Sequence, residues 1–595
     1  MKNALYPGSL DPLTYGHIDI VKRALNRFDT VTLAVGSNPD KEGKNMFSLQ
    51  ERMQLARQAL IDVLNVDVIA FRGMLPQFAY ENKYNPIVRG IRNSRDFDVE
   101  QDLQRAIMRQ GLGLDFINFN TNKDLQDVSS SAAKAILKEQ GDKIREYVPL
   151  NIKQALEGRI HDQYIGGITG SICSGKSYAT DRFLEIGKKN GISVHNLDLD
   201  KIGHDIIGTL PEPRYQEVRK IIAETFGQDL QNTDGSIDRK KLGSCVFSDG
   251  EKLKKLNEIM HTPIQVRLRR EMTNKKGLLL YNASLIAESG TSHVANNNIL
   301  LFDVHEQLQA ERLAKRGSTP EEIQQRISSQ HSAKTKADIF EKQIKEDKRG
   351  SLNTIIGPHS DEELEQHFNS LLAQVDTFGE LRFVGLINRL GVQEDPKKLF
   401  IQFRNMYDKE GNTGGERDDI SKKIKGSYHK RLHYVDCLNK FYKIKHLFQE
   451  TDAVECAFLF HDIVYDPRSK TNEEDSAEFA EKILTLRGLS KNFIERVKQL
   501  IIATKHVIVP THPDAKFMLD IDNSILGSDF RTYTQYTKDM RREYYTYTDQ
   551  EYKVGRSAFL HGLLNKKDIY HTSYFTQKLQ DKAEQNIINE LNNMV

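Results

Sequence analysis

The fold of the middle of the chain can be predicted from residues 164–189, "YIGGITGSICSGKSYATDRFLEIGKK". An apolar run that predicts a β-strand is followed by a loop of small residues and then by a helical pattern. The loop has the spacing G-x-x-x-x-G-K-S, with Gly170, Gly175, Lys176 and Ser177 at its fixed positions. In such a loop backbone N–H groups hold phosphates, the lysine reaches the β/γ oxygens and the serine binds Mg²⁺. The stretch therefore predicts an ATP and Mg²⁺ site, and it raises the question of what the long segment in front of it does.

Length and apolar content set the first limits on the class of protein. A chain of 595 residues predicts about three or four domains, and 38% hydrophobic residues suffice for several ordinary cores. The opening residues, "MKNALYPGSLDP", lack the basic and apolar regions of a signal peptide. No apolar run approaches the roughly 18 residues that a membrane-spanning helix needs. We expect a soluble, cytoplasmic, multidomain protein.

The balance of charge and the placement of the cysteines limit which binding partners are expected. Lysine and arginine number 85 against 83 acidic residues, so there is no basic excess of the kind that nucleic-acid binding requires. The cysteines are scattered and form no CxxC pair, which favours neither a disulfide framework nor a thiolate zinc site: Cys173, Cys245, Cys437 and Cys456. We expect small-molecule partners, no nucleic acid and no membrane, and a homo-oligomeric state.

The pattern of strands and helices changes twice along the chain. Short β-branched runs ("TVTLAV", "VDVIAF", "PIVRGI", "LDFINF") alternate with helical patterns in the first part, which predicts a parallel α/β unit. The alternation restarts at residue 164 and continues through "ISVHNLDLD", "GLLLYNASL", "NILLFDV" and "LNTIIG". From about residue 377 long charged amphipathic helices take over. We predict domains over 1–160 and 163–375, both α/β, and an all-α domain over 377–595.

The first domain carries a second motif that suits phosphate. In "YPGSLDPLTYGHIDIVKRAL" a strand ends near Tyr6, small residues turn the chain, and Gly16 and His17 open a helix. A helix N-terminus offers free N–H groups and partial positive charge to an anion. His17 in the first turn could donate a hydrogen bond to a phosphoryl oxygen as charge develops there.

Three further segments join this motif: "SNPDKEGKNMFSLQER", "IVRGIRNSRDFDVEQDL" and "DVSSSAAKAI". In their order and spacing the four motifs resemble phosphopantetheine adenylyltransferase along residues 1–158. The resemblance implies a Rossmann-like nucleotidyltransferase domain, in which the phosphate of 4′-phosphopantetheine attacks the α-phosphorus of ATP and pyrophosphate leaves. Such a reaction depends on positioning and on stabilisation of charge.

The same resemblance implies roles for individual residues. His17 would stabilise the transition state, Lys41 or Lys44 would neutralise the reacting phosphates, and Arg89 would bind the phosphopantetheine phosphate. Ser9 and Leu75 would also contact the substrates. The adenine nucleotide would lie against Ser9, Leu10, His17, Gly90, Ile91, Arg92, Glu100, Leu125, Val128, Ser129, Ser130 and Ser131.

The second domain adds acidic residues to its phosphate loop. "HNLDLDKIGHDII" places Asp198 and Asp200 at the end of a predicted strand, where a carboxylate could orient or deprotonate an attacking hydroxyl. A helix-capping role would explain one of the two aspartates. With "SIDRKKLGSCVFSDGEKLKKLNEIMHTPI" and "EQLQAERLAKRGSTPEEIQQRISSQ", residues 163–375 resemble dephospho-coenzyme A kinase.

This resemblance implies a P-loop kinase that phosphorylates the ribose 3′-hydroxyl of dephospho-coenzyme A. Asp200 and Lys176 would be catalytic, Ser177 would bind Mg²⁺, and Arg312 and Arg316 would be lid arginines. ATP would contact Gly170, Ile172, Cys173, Ser174, Gly175, Lys176 and Ser177. The sequence departs from the family at Ser171 and Cys173, where the family loop is richer in glycine, and at "NASLIAES", where the family has a Pro-Leu-Leu element. Side chains in the loop can hinder the approach of phosphate to the backbone.

The third domain contains residues suited to a metal. His429 and His433 are four residues apart on a predicted helix, His461 and Asp462 are predicted to lie inside an apolar helix, and Asp520 and Asp522 end another. A buried His-Asp pair is costly unless it is paired or binds a metal.

Residues 377–595 resemble the all-helical HD-type metal-dependent phosphohydrolases. The resemblance implies the ligands His433, His461, Asp462 and Asp522, with His429 near the substrate phosphate. Imidazole and carboxylate ligands suit Mn²⁺, Fe²⁺, Co²⁺ or Zn²⁺. No substrate follows from the motif.

Two other interpretations remain open at this point. The middle and last domains could be degenerate ligand-sensing modules that regulate the first, which the altered phosphate loop favours and the intact Lys176 and Ser177 oppose. Alternatively, the first domain could transfer the adenylyl group to another acceptor. On the leading interpretation the first two domains catalyse consecutive steps of coenzyme A biosynthesis, with an appended phosphohydrolase.

Overall fold

The computed structural model describes residues 2–37, 45–139, 141–246, 249–328, 330–408, 431–505, 510–566 and 568–594. Lys41, Lys44 and His429, which the sequence analysis singles out, lie outside these ranges. The chain divides into two compact units. One combines Met1–Lys153 with Phe378–Val595, and the other is Gln154–Thr377.

The first unit begins with a five-stranded parallel sheet, as the alternating pattern predicts. Its strands are β1 Asn3–Gly8, β2 Thr30–Ser37, β3 Val66–Arg72, β4 Ile87–Ile91 and β5 Phe116–Asn120, in the order β3-β2-β1-β4-β5. The accompanying helices are α1 Tyr15–Leu25, α2 Leu49–Ala59, α3 Leu75–Glu81, α4 Ser94–Met108 and α5 Ser130–Glu139; α6 Leu150–His161 begins in this unit and lies mostly in the second. The strand order reverses between β1 and β4. In open parallel sheets ligands bind at the carboxyl ends of the strands beside such a switch point.

The second unit contains another parallel five-stranded sheet, in the order β10-β9-β6-β8-β7. Its strands are β6 Gln163–Gly170, β7 Val194–Asp198, β8 Gly277–Asn282, β9 Asn298–Asp303 and β10 Ser351–Ile356. Strands β6 and β8 are buried along their whole length. They read as continuous apolar runs because helices cover both faces of a parallel sheet.

The helices of this unit supply that cover. They are α7 Lys176–Lys189, α8 Leu199–Ile207, α9 Pro213–Phe226, α10 Arg239–Val246, α11 Gly250–Met272, α12 Glu306–Lys315, α13 Pro320–Ser328, α14 Ala333–Asp347 and α15 Asp361–Val375. Helices α8, α9 and α11 pack a cluster of isoleucines and leucines against the sheet. The unit's ends are tied together by Gln154, whose Nε2 donates to the carbonyls of Gln374 and Val375 at 2.8 Å each and lies 2.9 Å from Thr377 Oγ1.

The described residues after Phe378 form helices and no strand. The helices are α16 Glu380–Arg389, α17 Pro396–Asp408, α18 Arg431–Lys443, α19 Thr451–Phe460, α20 Asn472–Leu486, α21 Lys491–Ala503, α22 Pro513–Asn523, α23 Phe530–Glu543, α24 Asp549–Leu564 and α25 Ser573–Met594. This region is consistent with the all-α domain that the sequence predicts.

The C-terminal helices share their unit with the first sheet through specific contacts. Arg542 on α23 pairs with Asp67 on β3 at 2.9 Å. Phe378 places its ring 5.9 Å from that of Phe47. Among the described helices of the whole chain, none has the length and apolarity needed to cross a bilayer.

Candidate active sites

The first candidate site is built on the start of α1. Thr14 is the N-cap of this helix, and its N–H donates to Nδ1 of His17 at 3.0 Å. Thr14 Oγ1 lies 2.9 Å from the same ring nitrogen. Burial, together with the nearby Arg92 guanidinium, lowers the pKa of His17 to about 4. At neutral pH the imidazole is therefore uncharged, Nδ1 is the acceptor, and the ring proton lies on Nε2, where it can be donated to a ligand.

The start of α5 lies beside the start of α1. A Cβ on Gly16 would meet the carbonyl oxygen of Val128 at 3.3 Å, so glycine allows the close approach. Ser129 caps α5 by accepting from the Ala132 N–H at 3.1 Å, and Ser130 Oγ donates to the carbonyl of Pro12 at 2.7 Å. The predicted nucleotide residues at 128–131 thus border the predicted phosphate loop.

The end of β4 brings the predicted arginines to the same edge of the sheet. Arg89 pairs with Glu100 at 2.7 Å, and Arg92 pairs with Asp96 at 2.7 Å. A Cβ on Gly90 would lie 2.9 Å from Ile20, so β4 packs directly against α1. Of the other predicted residues, Ser9 and Leu10 follow β1, Leu75 begins α3 after β3, and Leu125 precedes α5.

Two buried side chains that the sequence analysis did not single out support this loop. Asp11 accepts from the Met46 and Phe47 N–H groups at 3.0 and 2.9 Å, and Lys134 pairs with the same carboxylate at 2.7 Å. Arg52 donates to the carbonyls of Ser9 and Gly36. Both residues lie in stretches that contain the motifs, but only the fold shows that they hold the two loops together.

The second candidate site is the loop between β6 and α7. Gly170 has φ +151°, and a Cβ there would meet the Phe302 carbonyl oxygen at 2.0 Å, so only glycine fits. Gly175 has φ +101° and is the N-cap of α7. Lys176 Nζ donates to the carbonyls of Gly170 and Ser171 at 2.8 and 3.1 Å. Burial lowers the pKa of Lys176 to about 8, although the Asp200 carboxylate acts in the opposite direction.

The two departures from a glycine-rich loop are accommodated by the fold. Cys173 adopts a left-handed conformation with φ +59°, and its carbonyl accepts from Arg312 Nη1 at 2.7 Å. Ser171 donates from Oγ to Asp303 Oδ1 at 3.0 Å, at the end of β9. Arg312 therefore contacts the loop, whereas Arg316 ends its helix as the C-cap.

The two aspartates after β7 have different roles. Asp198 is the N-cap of α8 and accepts from the Lys201 N–H at 3.0 Å, which is the capping role that the sequence left open for one of them. Asp200 accepts from Ser284 Oγ at 3.0 Å. Lys336, which sequence reasoning missed, is fully buried and donates to the Ser284 carbonyl at 2.6 Å. Ser284 belongs to the divergent "NASLIAES" element, so this element holds Asp200.

The third candidate site lies where α18, α19 and α22 meet. Helix α19 ends at Phe460, so His461 and Asp462 lie at its end and not inside it. His433 Nε2 is 2.7 Å from Asp522 Oδ1 and 3.6 Å from Asp462 Oδ2. His461 Nε2 is 3.1 Å from Asp462 Oδ2 and 3.8 Å from Asp522 Oδ1. The fold thus brings together the four residues that the HD resemblance names.

One histidine of this cluster is oriented toward its centre. His461 Nδ1 bonds to the Phe458 carbonyl at 3.0 Å, which leaves Nε2 facing the carboxylates. This Nε2 atom is buried and makes no hydrogen bond of good geometry within the described part of the chain. Burial lowers the pKa of the imidazole, but Asp462 and Asp522 outweigh that effect and raise it to about 9. An excess of negative charge around buried nitrogens is what a divalent cation would neutralise.

The structure also shows which other residues of this region belong to the cluster of potential metal ligands. Asp520 accepts from the backbone N–H groups of His571 and Thr572 at 2.6 and 2.8 Å, so it fixes a turn and is not part of the cluster. Cys437, which no motif marked, belongs to the group of potential metal ligands together with His433, His461 and Asp522.

Fold and geometry together define an enzyme-like chain with two α/β nucleotide sites and one helical cluster of potential metal ligands. Two family models match the two α/β parts of the chain. Residues 5–136 match the cytidylyltransferase-like family, and residues 164–352 match the dephospho-CoA kinase family. The chain therefore contains a nucleotidyltransferase-like domain and a dephospho-CoA kinase domain, which supports a role in coenzyme A biosynthesis.

Solved structures similar to parts of the chain include three proteins. TT1252 from Thermus thermophilus is 26% identical over 36% of this chain and 97% of its own, with a TM-score of 0.28. A dephospho-CoA kinase from Campylobacter jejuni is 22% identical over 36% and 97%, with a TM-score of 0.22. The NadR protein in complex with NR is 12% identical over 63% and 97%, with a TM-score of 0.23.

Proposed function

We propose that the chain converts 4′-phosphopantetheine to coenzyme A in two ATP-dependent steps. The proposal rests on one observation above all. Two α/β domains in one chain match known families, and each places a hydrogen-bond donor for phosphate oxygens at the start of a helix. These donors are His17 on α1 and Lys176 on α7. The product of the first reaction would be the substrate of the second.

In the first reaction a phosphate oxygen of 4′-phosphopantetheine forms a bond to the α-phosphorus of ATP while the bond to pyrophosphate breaks. His17 donates from Nε2 to an oxygen of that phosphorus, and the Thr14 cap keeps the proton on this nitrogen. Arg89 at the end of β4 would bind the acceptor phosphate, and Lys41 or Lys44 would neutralise the reacting phosphates.

In the second reaction the ribose 3′-hydroxyl of dephospho-coenzyme A attacks the γ-phosphorus of ATP and ADP leaves. Asp200, held by Ser284, accepts the hydroxyl proton. Lys176 and Arg312 neutralise charge on the transferred phosphoryl group. Ser177 would hold Mg²⁺, which would supply positive charge to the phosphates of ATP.

Product analysis by mass tests both steps at once. Full-length protein incubated with 4′-phosphopantetheine, ATP and Mg²⁺ should yield dephospho-coenzyme A and then coenzyme A. A wild-type protein that leaves 4′-phosphopantetheine unchanged but adenylylates another phosphate acceptor would reassign the first domain. Accumulation of dephospho-coenzyme A without coenzyme A would instead favour a regulatory role for the middle domain.

For the helical region we propose a metal-dependent phosphohydrolase of the HD type. His433, His461, Asp462 and Asp522 would hold a divalent transition metal, Mn²⁺, Fe²⁺, Co²⁺ or Zn²⁺. When bound, the metal supplies an acidified water for attack on a phosphate ester. The residues fit such an ion because two buried imidazoles and two carboxylates converge there, and His461 Nε2 has no other partner of good geometry.

Metal analysis and thermal unfolding of the full chain test this site. The wild-type protein should retain about one ion and unfold at a higher temperature with Mn²⁺, Co²⁺ or Zn²⁺, because the ion binds only the folded state. Asp462→Asn should lose the ion and any phosphatase activity. The matched control Asp549→Asn removes an exposed carboxylate and should change neither. Wild-type protein that stays metal-free after reconstitution would overturn the proposal.

A second candidate role for these helices is regulation of the first domain. Phe378 contacts Phe47, whose N–H donates to Asp11 in the first phosphate loop. A ligand of the helical region could therefore alter adenylyl transfer through residues 46–48. The rate of the first reaction should be measured in Mg²⁺ buffer with and without added Mn²⁺, Co²⁺ or Zn²⁺. This distinguishes the two roles, because a purely hydrolytic helical domain would leave the rate of adenylyl transfer unchanged.

A further inference from the structure

Cys437 is a buried thiol that no sequence motif accounts for. It lies one helical turn after His433 on α18, so both side chains lie on the same face. Its Sγ is 3.7 Å from His433 Nε2 and 4.0 Å from Nδ1. One potential ligand atom each from Cys437, His433, His461 and Asp522 lie within 4.8 Å of one another.

The separation between the Cys437 sulfur and the nearer ring nitrogen of His433 is that of two ligands of a single ion. Zn–S and Zn–N bonds of about 2.3 and 2.0–2.1 Å at a tetrahedral angle place sulfur and nitrogen about 3.6 Å apart. The observed distance between Cys437 Sγ and His433 Nε2 is 3.7 Å, whereas His433 Nε2 and Asp522 Oδ1 are hydrogen-bonded to each other at 2.7 Å. Independently, the buried His461 Nε2 faces the same space without a hydrogen bond of good geometry in the described part of the chain.

We propose that Cys437 is a thiolate ligand of the metal in this cluster. The donor set is then two imidazoles, two carboxylates and one thiolate, because Cys437 joins the proposed ligands His433, His461, Asp462 and Asp522. Binding forms a metal–sulfur bond and breaks the S–H bond, and the proton passes to solvent. Asp462, whose Oδ2 is 3.1 Å from His461 Nε2, remains one of the two carboxylate ligands. The inference rests on the proposed metal centre and deepens it by naming its chemical class.

A thiolate changes which ions the site prefers. Soft sulfur ligands select Zn²⁺ over the hard, oxygen-seeking ions Mg²⁺ and Mn²⁺. We therefore expect Zn²⁺ and the spectroscopic probe Co²⁺ to bind more tightly than Mn²⁺. A cluster of imidazoles and carboxylates alone would show a weaker preference.

The chain offers a matched control for this thiol. Cys456 is also fully buried, on the neighbouring helix α19, but it lines an apolar cavity with Phe383, Phe403 and Leu459. Cys456→Ser therefore introduces the same hydroxyl into the same helical region without touching the cluster.

The experiment uses the full-length protein freed of metal and titrated with Co²⁺ alone. The wild type should show a near-ultraviolet sulfur-to-cobalt charge-transfer band together with visible ligand-field bands. Cys437→Ser should lose the near-ultraviolet band and bind Zn²⁺ at least about 10-fold more weakly, while Cys456→Ser keeps both properties. A variant that retains Cys437 as its only cysteine should keep the band, which avoids dependence on how well Cys437→Ser folds.

The outcomes separate this inference from the metal centre itself. Visible cobalt bands without the charge-transfer band in the wild type would overturn the thiolate and leave the centre standing. An unchanged band in a folded Cys437→Ser protein would also overturn it. Absence of any bound Co²⁺ would overturn both proposals.

Discussion

The starts of α1 and α7 are both proposed phosphate sites, yet they hold their key side chains in opposite ways. His17 is uncharged and is fixed by the cap of its own helix, through the Thr14 N–H. Lys176 is a cation that rests on the carbonyls of Gly170 and Ser171. The first donor is oriented before a substrate arrives, whereas the second must exchange carbonyl partners for phosphate oxygens. A helix N-terminus therefore determines where an anion can bind, but it does not determine whether the side chain that donates to the anion is already oriented for binding.

The largest effect should follow from removing the cation. Lys176→Ala should lower formation of coenzyme A from dephospho-coenzyme A by about 10³-fold, the upper end of the loss of one preorganised donor, and spare the first step. Lys189→Ala removes an exposed lysine from the same helix and should leave both rates unchanged. Separate assays of the two steps would check this. A Lys176→Ala protein that retains most of the second activity would show that this cation does not act in the second step.

Removing the neutral donor should have a smaller effect. His17→Ala should slow formation of dephospho-coenzyme A by about 10²-fold while ATP affinity changes little, because the lost bond is made in the transition state. His17→Gln, which restores an N–H donor, should recover part of the rate. Steady-state kinetics with 4′-phosphopantetheine would decide the matter. Near-normal turnover of His17→Ala would show that the α1 start is not the reacting site.

The two sites should also respond differently to pH. Lys176 with a pKa of about 8 loses its charge above that value, so kcat/KM for ATP in the second step should fall up to about tenfold per pH unit. His17 with a pKa of about 4 stays neutral from pH 5 upward and should produce no change near 6.5. Because the pKa of His17 is lower in the folded protein than in the unfolded chain, this group reduces the free energy of unfolding only as the pH falls from 6.5 toward 4. An inflection near 6.5 in the first step that is absent from His17→Gln would contradict the neutral imidazole.

The smallest effect should come from the capping side chain. Thr14→Ala removes Oγ1 but keeps the backbone N–H that fixes the proton on His17 Nε2. We expect a loss of about 1 kcal/mol in the free energy of unfolding and only a few-fold change in the first rate. Thermal or urea unfolding with parallel kinetics would measure both. A rate loss as large as that of His17→Ala would mean that the hydroxyl, and not the backbone, orients the ring.

Much of the fold could be predicted from the sequence because local patterns determine it. The quoted apolar runs form the strands of both parallel sheets, and the loss of strand patterns after residue 377 matches the helical region. The G-x-x-x-x-G-K-S spacing located the loop because glycine is required at Gly170 by a contact that excludes any side chain. What could not be predicted was that the first and last parts of the chain form one unit, since no local pattern records such packing.

The sites were predicted in residue type more than in role. Sequence placed Asp198 and Asp200 together, but the fold decides that the first caps a helix and the second faces Ser284. The sequence marked Arg89 as a ligand for the phosphopantetheine phosphate, and the fold adds that its guanidinium pairs with Glu100. Cys437 and Lys336 were missed because their roles depend on neighbours from other helices and loops.

The bond network of Gln154 has a consequence for how the protein is made. Because Gln154 joins the entry of the middle unit to its exit at Val375 and Thr377, that unit has its own closed boundary. A ribosome that adds about 5–20 residues per second needs roughly 10–40 s more to finish the residues after Phe378. During that interval the middle unit can already be folded, while Phe47 and Asp67 in the opening segment still lack their partners. The part of the chain that is synthesised first is thus completed last.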